Sequence, residues 1–155
     1  MMRRLTALLF AATLAACSSG NGVTWPDVEV LLPDGNRTTA DTLRGPGTTV
    51  VSLWSIWCEP CRRELPQLEE YASEHPDIAV VALNLGDTAG AVTSYAAELG
   101  LSLPIAIDDE ARVSSALGVS SVPATLVIDR HGTVKAKHLG EIGGEDLARL
   151  VESGS

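Results

Sequence analysis

Two cysteines separated by two residues, in Trp57-Cys58-Glu59-Pro60-Cys61, sit where the apolar run Val50 to Trp57 gives way to a stretch with helical spacing. A helix N-terminus presents unpaired backbone N–H groups and the positive end of a dipole. A thiolate placed there is stabilised, its pKa falls, and it becomes a nucleophile near neutral pH. The second cysteine, one turn further on, can close a disulfide. The pair therefore has the spacing of a dithiol that cycles between oxidised and reduced forms by exchange with other cysteines.

Other uses of a CxxC pair can be weighed on the same residues. A structural zinc site wants about four N/S ligands, and beyond the pair the chain offers only Cys17 and the scattered His75, His131 and His138. Covalent haem attachment needs a histidine directly after the second cysteine, where this chain has Arg62. A purely structural disulfide stays open, although Pro60 inside the pair and Trp57 beside it favour redox use.

The elements that must position the pair follow from hydrophobic periodicity and turn signals. Val28 to Leu31 is a short strand, closed by the turn Pro33-Asp34-Gly35, with Arg37 to Thr39 as its partner in a hairpin-like segment. Ala40 to Arg44 is one helical turn, broken by Gly45-Pro46-Gly47. Thr49 to Trp54 is β-branched and apolar enough for a buried central strand. From Glu59 to Glu74 the positions Leu65, Leu68 and Tyr71 recur at helical spacing, with a kink expected at Pro66. Ile78 to Leu85 is a second buried strand, and Ala89 to Leu99 is a second helix closed by Gly100. Leu103 to Ile107 is a short strand, after which Asp108 or Asp109 caps a helix running to Leu117. Ala124 to Ile128 and Thr133 to His138 form a hairpin, and Glu145 to Val151 is the closing helix. Strands alternating with helices, followed by a hairpin and a helix, describe one α/β domain with a mixed sheet.

Composition bounds the partners. The chain has 155 residues, 45% hydrophobic and 20% charged, with formal charge −9 and pI near 4.6. Loss of Arg3 and Arg4 with a leader would take the charge to −11. No Lys/Arg cluster remains for a phosphate backbone to grip, so nucleic acid is not an expected partner.

The leader itself is legible. Met1-Met2-Arg3-Arg4 is a short basic start, and the apolar Leu5 to Ala16 that follows is too short to span a bilayer. Its end, Leu14-Ala15-Ala16-Cys17, resembles the bacterial lipoprotein signature, in which the cysteine is lipidated and becomes the mature N-terminus. The alternative is an ordinary signal peptide that leaves an odd thiol, an awkward outcome in an exported protein. The expected organisation is a signal peptide over 1–16, a lipidated Cys17 with a flexible tether over 17–24, and one domain over 25–155.

With these elements in place, the chain resembles the thioredoxin-fold thiol–disulfide oxidoreductases. More narrowly, it resembles the membrane-tethered TlpA/ResA/DsbE-like group that works in cytochrome c maturation. The resemblance covers nearly all of Trp25 to Val151. It rests on the Trp57–Cys61 motif, on Glu64-Leu65-Pro66, on Val122-Pro123-Ala124-Thr125 and on the hairpin-like segment in front of the core. It implies a thioredoxin-like α/β fold, a central mixed sheet flanked by helices with an N-terminal hairpin-like extension. It also implies that Cys58 is the exposed attacking sulfur and Cys61 the resolving one. Pro123 would be cis and opposite the pair, leaving the backbone of Val122 free to meet an extended substrate beside Trp57. No metal, haem or nucleotide is needed. The implied partners are disulfides of exported proteins such as apocytochrome c, and a membrane thiol protein that returns electrons. A monomer is expected. The same chemistry run backwards would make a disulfide-forming oxidant, and a non-catalytic apocytochrome- or metal-binding module is the reading from outside enzymology. Ser52-Leu53-Trp54-Ser55-Ile56 departs from the group's usual residues, which leaves the substrate less defined than the fold.

Glu64 carries the sharpest expectation. Thioredoxins proper carry a buried acid on the strand six residues before the first cysteine, and that position here is Ser52. Glu64, three residues after Cys61 and on the same helix face, matches an acid of the cytochrome-maturation group. Buried, it would have a raised pKa and could exchange a proton with Cys61. The alternative is a solvated helix glutamate beside Arg62 and Arg63. Asp87 matches a position that often carries an acid near the site, with a loop or helix-cap role as its alternative.

Overall fold

A computed structural model describes residues 22–154. The leader, Cys17 and most of the tether lie outside these residues. Seven strands form one mixed sheet: β1 (Glu29–Leu31), β2 (Arg37–Thr39), β3 (Thr49–Trp54), β4 (Ala79–Asn84), β5 (Ile105–Ile107), β6 (Ala124–Ile128) and β7 (Val134–Leu139). Their order across the sheet is β2-β1-β5-β4-β3-β6-β7, with β3, β4 and β5 parallel and the others antiparallel to their neighbours. The helices are α1 (Glu59–Glu74), α2 (Ala89–Leu99), α3 (Arg112–Ala116) and α4 (Gly144–Gly154), with a short 3-10 turn at Ala40–Leu43. This is the α/β domain with a mixed sheet that the element pattern predicts, and the thioredoxin-like arrangement that the resemblance implies.

Period-two alternation divides the core. Val50 and Trp54 of β3 and Val127 of β6 face α1, α2 and α4, in a cluster that includes Leu65, Leu68, Val92, Leu147 and both cysteines of the pair. Val51, Leu53, Leu126 and Ile128 face the other way, onto Trp25, Val113 and Leu117. Buried apolar side chains contribute roughly 1.5–3 kcal/mol each, so both layers of this sandwich are needed to hold β3 at its centre. The alternation also turns two polar residues toward α1. Ser52 lies between Val50 and Trp54, Thr125 precedes Val127, and the two are register partners across β3 and β6.

One local expectation is corrected, at α3, while α1 runs over the expected Glu59–Glu74 with Pro66 inside it. Proline removes one backbone donor, and the buried Leu65 and Leu68 on either side keep the helix on the sheet. Helix α3 is a turn shorter than expected and neither aspartate is its N-cap residue. That position is Ala111, in the left-handed region at φ 54°. The Asp108 carboxylate nevertheless takes the Val113 and Ser114 N–H groups at 3.0 and 2.8 Å, so it caps the helix from further back along the chain.

The first described residues dock on the far side of the domain from the cysteines. Trp25 N–H donates to the Gly132 carbonyl and Val134 N–H to the Val23 carbonyl. This is the β6–β7 turn, level with Thr49, the end of β3 away from Cys58. Among the described residues, no helix is long and apolar enough to cross a membrane.

Candidate active site

Strand β3 ends at Trp54, and after three intervening residues Cys58 is the N-cap of α1. Pro60 sits in the first turn, where a missing N–H leaves no bond unmade. Cys58 and Cys61 are joined as a disulfide, with Cα atoms 5.3 Å apart. The Cys61 N–H donates to Cys58 Sγ at 3.2 Å. On reduction, this donor and the helix dipole are the groups that favour a thiolate on Cys58 over one on Cys61.

Exposure does not separate the two sulfurs as the resemblance implied. Cys58 is 3% exposed and Cys61 1%. Both lie in the apolar cluster on the α1 side of the sheet, with Ile56 and Val122 packed against it. What distinguishes Cys58 is its place as helix cap. Trp57, by contrast, is 74% exposed, a large apolar side chain in solvent directly beside the pair. The Val122–Pro123 peptide bond is cis. Register pairing of Ala124 with Leu53 sets this bond at the end of β3 that leads to Cys58.

Glu64 is fully buried. Its Oε1 accepts from Ser52 Oγ at 2.9 Å and Thr125 Oγ1 at 3.1 Å, and its Oε2 accepts from the Ile142 N–H at 3.1 Å. The solvated alternative is therefore excluded, and Arg62 and Arg63 point elsewhere. Burial pushes the Glu64 carboxyl up, and hydrogen bonds from Ile142, Ser52 and Thr125 offset only part of that push. The hydroxyl of Ser52 occupies the strand position where thioredoxins proper carry their acid. Glu64 thus brings a carboxyl to that place from the helix side, one turn after Cys61. His138, the register partner of Thr125 on β7, adds a weak Coulombic pull that favours ionised Glu64.

Asp87 fastens the loop that carries the pair. Its Oδ2 accepts from Ser55 Oγ at 2.8 Å, the Ile56 N–H at 2.9 Å and Asn84 Nδ2 at 2.8 Å. Ser55 in turn accepts the Cys58 N–H on its carbonyl at 3.1 Å. Burial works to raise the Asp87 pKa, but the three donors outweigh it and hold the carboxyl below its ordinary value. The helix-cap alternative fails, because the N-cap of α2 is Thr88.

Thr125, Asn84, Ser55 and the Ile142 N–H belong to the site and were not predicted from sequence. For Ser55, Asn84 and Thr125 the signal was a polar residue in or at the end of an apolar run, since a buried polar group needs a partner, whereas the Ile142 N–H left no sequence signal. Among the described residues, no group of three or more His, Cys, Asp or Glu is arranged to hold a metal ion.

Comparison with known proteins points the same way. The Redoxin family model matches residues 20–152. The thiol-disulfide oxidoreductase ResA of Geobacillus thermodenitrificans is 31% identical over 165 aligned positions, covering 99% of this chain and 94% of that protein. A thiol:disulfide interchange protein DsbE homologue of Paracoccus denitrificans is 35% identical, covering 76% of this chain and 65% of that protein. In fold, the chain superposes on the crystal structure of a putative DsbE from Chlorobium tepidum with TM-score 0.75 at 23% identity, covering 86% and 96% of the two chains. A buried CxxC pair at the start of a helix, an acid behind it and relatives of this kind lead to one conclusion: the chain belongs to the Redoxin family, as a thiol–disulfide oxidoreductase of ResA/DsbE type.

Proposed function

We propose that this protein is a lipid-anchored extracytoplasmic reductase of disulfides in exported proteins, with apocytochrome c as the substrate class that the resemblance suggests. The observation that carries the reading is the pairing of a helix-capping Cys58 with a fully buried Glu64 behind Cys61. With the pair reduced, the Cys58 thiolate attacks a substrate disulfide. One new S–S bond forms, one breaks, and the first substrate thiolate leaves. Cys61 then loses its proton and attacks Cys58 Sγ, releasing the second substrate thiolate and restoring the Cys58–Cys61 disulfide. Two electrons pass to the substrate, and a membrane thiol protein returns them. Glu64 exchanges the Cys61 proton in the step that releases product. The exposed Trp57 and the backbone beside Val122 and Pro123 receive the substrate chain.

Redox poise separates reductant from oxidant. Titration against defined thiol–disulfide buffers is expected to give a midpoint nearer thioredoxin's value of about −270 mV than DsbA's value of about −120 mV. The exposed Glu59 between the cysteines supports this, since a negative charge beside the thiolate disfavours the reduced, ionised pair. A midpoint near the DsbA value would make the protein an oxidant instead, and failure to reduce insulin would leave only a binding role.

Anchoring has its own test. The wild-type protein is expected to partition into detergent from its native host, and Cys17→Ala to be released or left unprocessed. Recovery of wild type as a soluble form with an unmodified Cys17 would end the lipoprotein reading.

A further inference from the structure

The segment Gly140–Gly143, between β7 and α4, is held to the site at four points. Gly140 N–H donates to the Pro123 carbonyl at 2.8 Å. His138 Nε2 lies 3.3 Å from the Glu141 carbonyl. Ile142 N–H donates to Glu64 Oε2. On the outside, Arg63 grips Glu141 with two bonds, Nε to Oε1 at 3.0 Å and the second guanidinium nitrogen to Oε2 at 2.6 Å. Arg63 and Glu64 are neighbours on α1, and Glu141 and Ile142 are neighbours in the segment. The same pair of chain segments is therefore joined twice, once in solvent and once in the core.

We infer that the Arg63–Glu141 pair is an outer latch that holds the Ile142 N–H on Glu64 and so sets the proton affinity of that buried carboxyl. Arg63 and Glu141 are positioning residues and do not touch the sulfurs. The inference rests on the reading of Glu64 given above.

The geometry favours this over a decorative ion pair in two ways. A bidentate guanidinium–carboxylate fork fixes orientation as well as distance, which a single-point lysine contact does not. Moreover, the segment begins at Gly140, at φ 101°, and ends at Gly143 followed by Gly144, so its backbone is permissive. The buried Ile142 side chain and the bonds at Gly140 and Gly143 anchor it from the inside, and the fork is its side-chain tie to α1 on the outside. The fork is partly solvent-exposed, with side-chain exposures of 53% and 34%. Pairs of that kind contribute little to global stability, so its removal is expected to leave the fold intact.

Other groups that face Glu64 are accounted for. Ser52 on β3 and Thr125 on β6 are uncharged donors to it, and His138 on β7 is the ionisable neighbour from the sheet. Cys61 shares its helix. The residues that α4 packs into this cluster, Leu147 and Val151, are apolar. Weakening the Ile142 bond removes a donor that favours ionised Glu64, so the carboxyl holds its proton to higher pH.

The test is the pH profile of thiol–disulfide exchange in four proteins, namely wild type, Arg63→Ala, Glu64→Gln and the Arg63→Ala/Glu64→Gln double variant. Arg63→Ala is expected to move the Glu64-dependent inflection up by about half to one pH unit, the scale of a partly lost bond to a charged group. The same substitution in the Glu64→Gln background is expected to move the profile much less, by only the effect of freeing Glu59, which lies 3.7 Å from Arg63. The swapped pair Arg63→Glu/Glu141→Arg, which rebuilds an ion pair of opposite polarity, is expected to bring the inflection back toward wild type. An unmoved or lowered inflection in Arg63→Ala, while Glu64→Gln does abolish it, overturns the latch and spares the role of Glu64. So does an equal shift in the Glu64→Gln background. If Glu64→Gln leaves the wild-type profile unchanged, the reading of Glu64 falls and the latch falls with it.

Discussion

Cys58→Ser is expected to reduce the rate of insulin disulfide reduction by roughly 10³-fold or more, to the background of uncatalysed exchange. Without a sulfur at position 58 no mixed disulfide can form at the helix cap, and Cys61, inside the helix and without the cap position's N–H donor, does not substitute for it. Cys61→Ser should behave differently. It retains the attacking sulfur and loses the one that releases product, so the covalent adduct with a model disulfide should accumulate. Mass spectrometry of each variant after incubation with a mixed-disulfide probe reads this directly. Adducts on Cys58→Ser and none on Cys61→Ser would reverse the assignment of the two roles. The two sulfurs are nearly equally covered, so the expected asymmetry depends on the cap position of Cys58 and its bond from the Cys61 N–H. It does not depend on exposure.

The parts of the fold that were readable from sequence are those with a strong local signal. Strands β3 and β6 are short, mostly apolar and β-branched runs, and their observed limits match the expected ones residue for residue. Helix α2 has Thr88 as a capping side chain and Gly100 in the left-handed region at φ 66°, and it begins and ends where the sequence places it. Helix α3 has five residues, too few for periodicity to speak, and its cap comes from a side chain outside the cap position.

The site divides in the same way. The CxxC pair is a short-range motif and could be read from spacing alone. The burial of Glu64 could not, because it depends on contacts 12, 61 and 78 residues away along the chain. Yet Ser52 within Thr49–Trp54 and Thr125 within Ala124–Ile128 interrupt strands that are otherwise apolar. Two such hydroxyls, paired in register, call for a common polar partner. Glu64 is that partner, and only the sheet topology brings the three together.

Glu64→Gln is expected to leave the fold intact and to change both stability and proton exchange in a pH-dependent way. A glutamine can satisfy the same three partners. Its carbonyl oxygen can accept from Ile142, and its amide can donate to the Ser52 and Thr125 hydroxyls, which are free to rotate. The folded state holds the Glu64 proton more tightly than the unfolded chain does. Stability from this group is therefore complete below the ordinary carboxyl value of 4.5 and is lost as pH rises through the raised folded value. Within that window the wild type should lose about 1.4 kcal/mol per pH unit relative to the glutamine variant. Urea unfolding of both proteins across pH measures the difference, which should be flat for Glu64→Gln and sloped for wild type. The kinetic effect has the opposite sign for function. Ionised Glu64 beside Cys61 disfavours the neighbouring thiolate and couples the two titrations, so its removal should lower the apparent thiol pKa values. It should also slow the resolving step, by about 10²-fold or less, because the carboxyl only assists a proton transfer that water can also accept. Stopped-flow exchange with parallel thiol titration separates the two effects. If the titration, the rate and the stability slope are all unchanged in Glu64→Gln, the buried carboxyl is a packing element of α1 and takes no part in the chemistry.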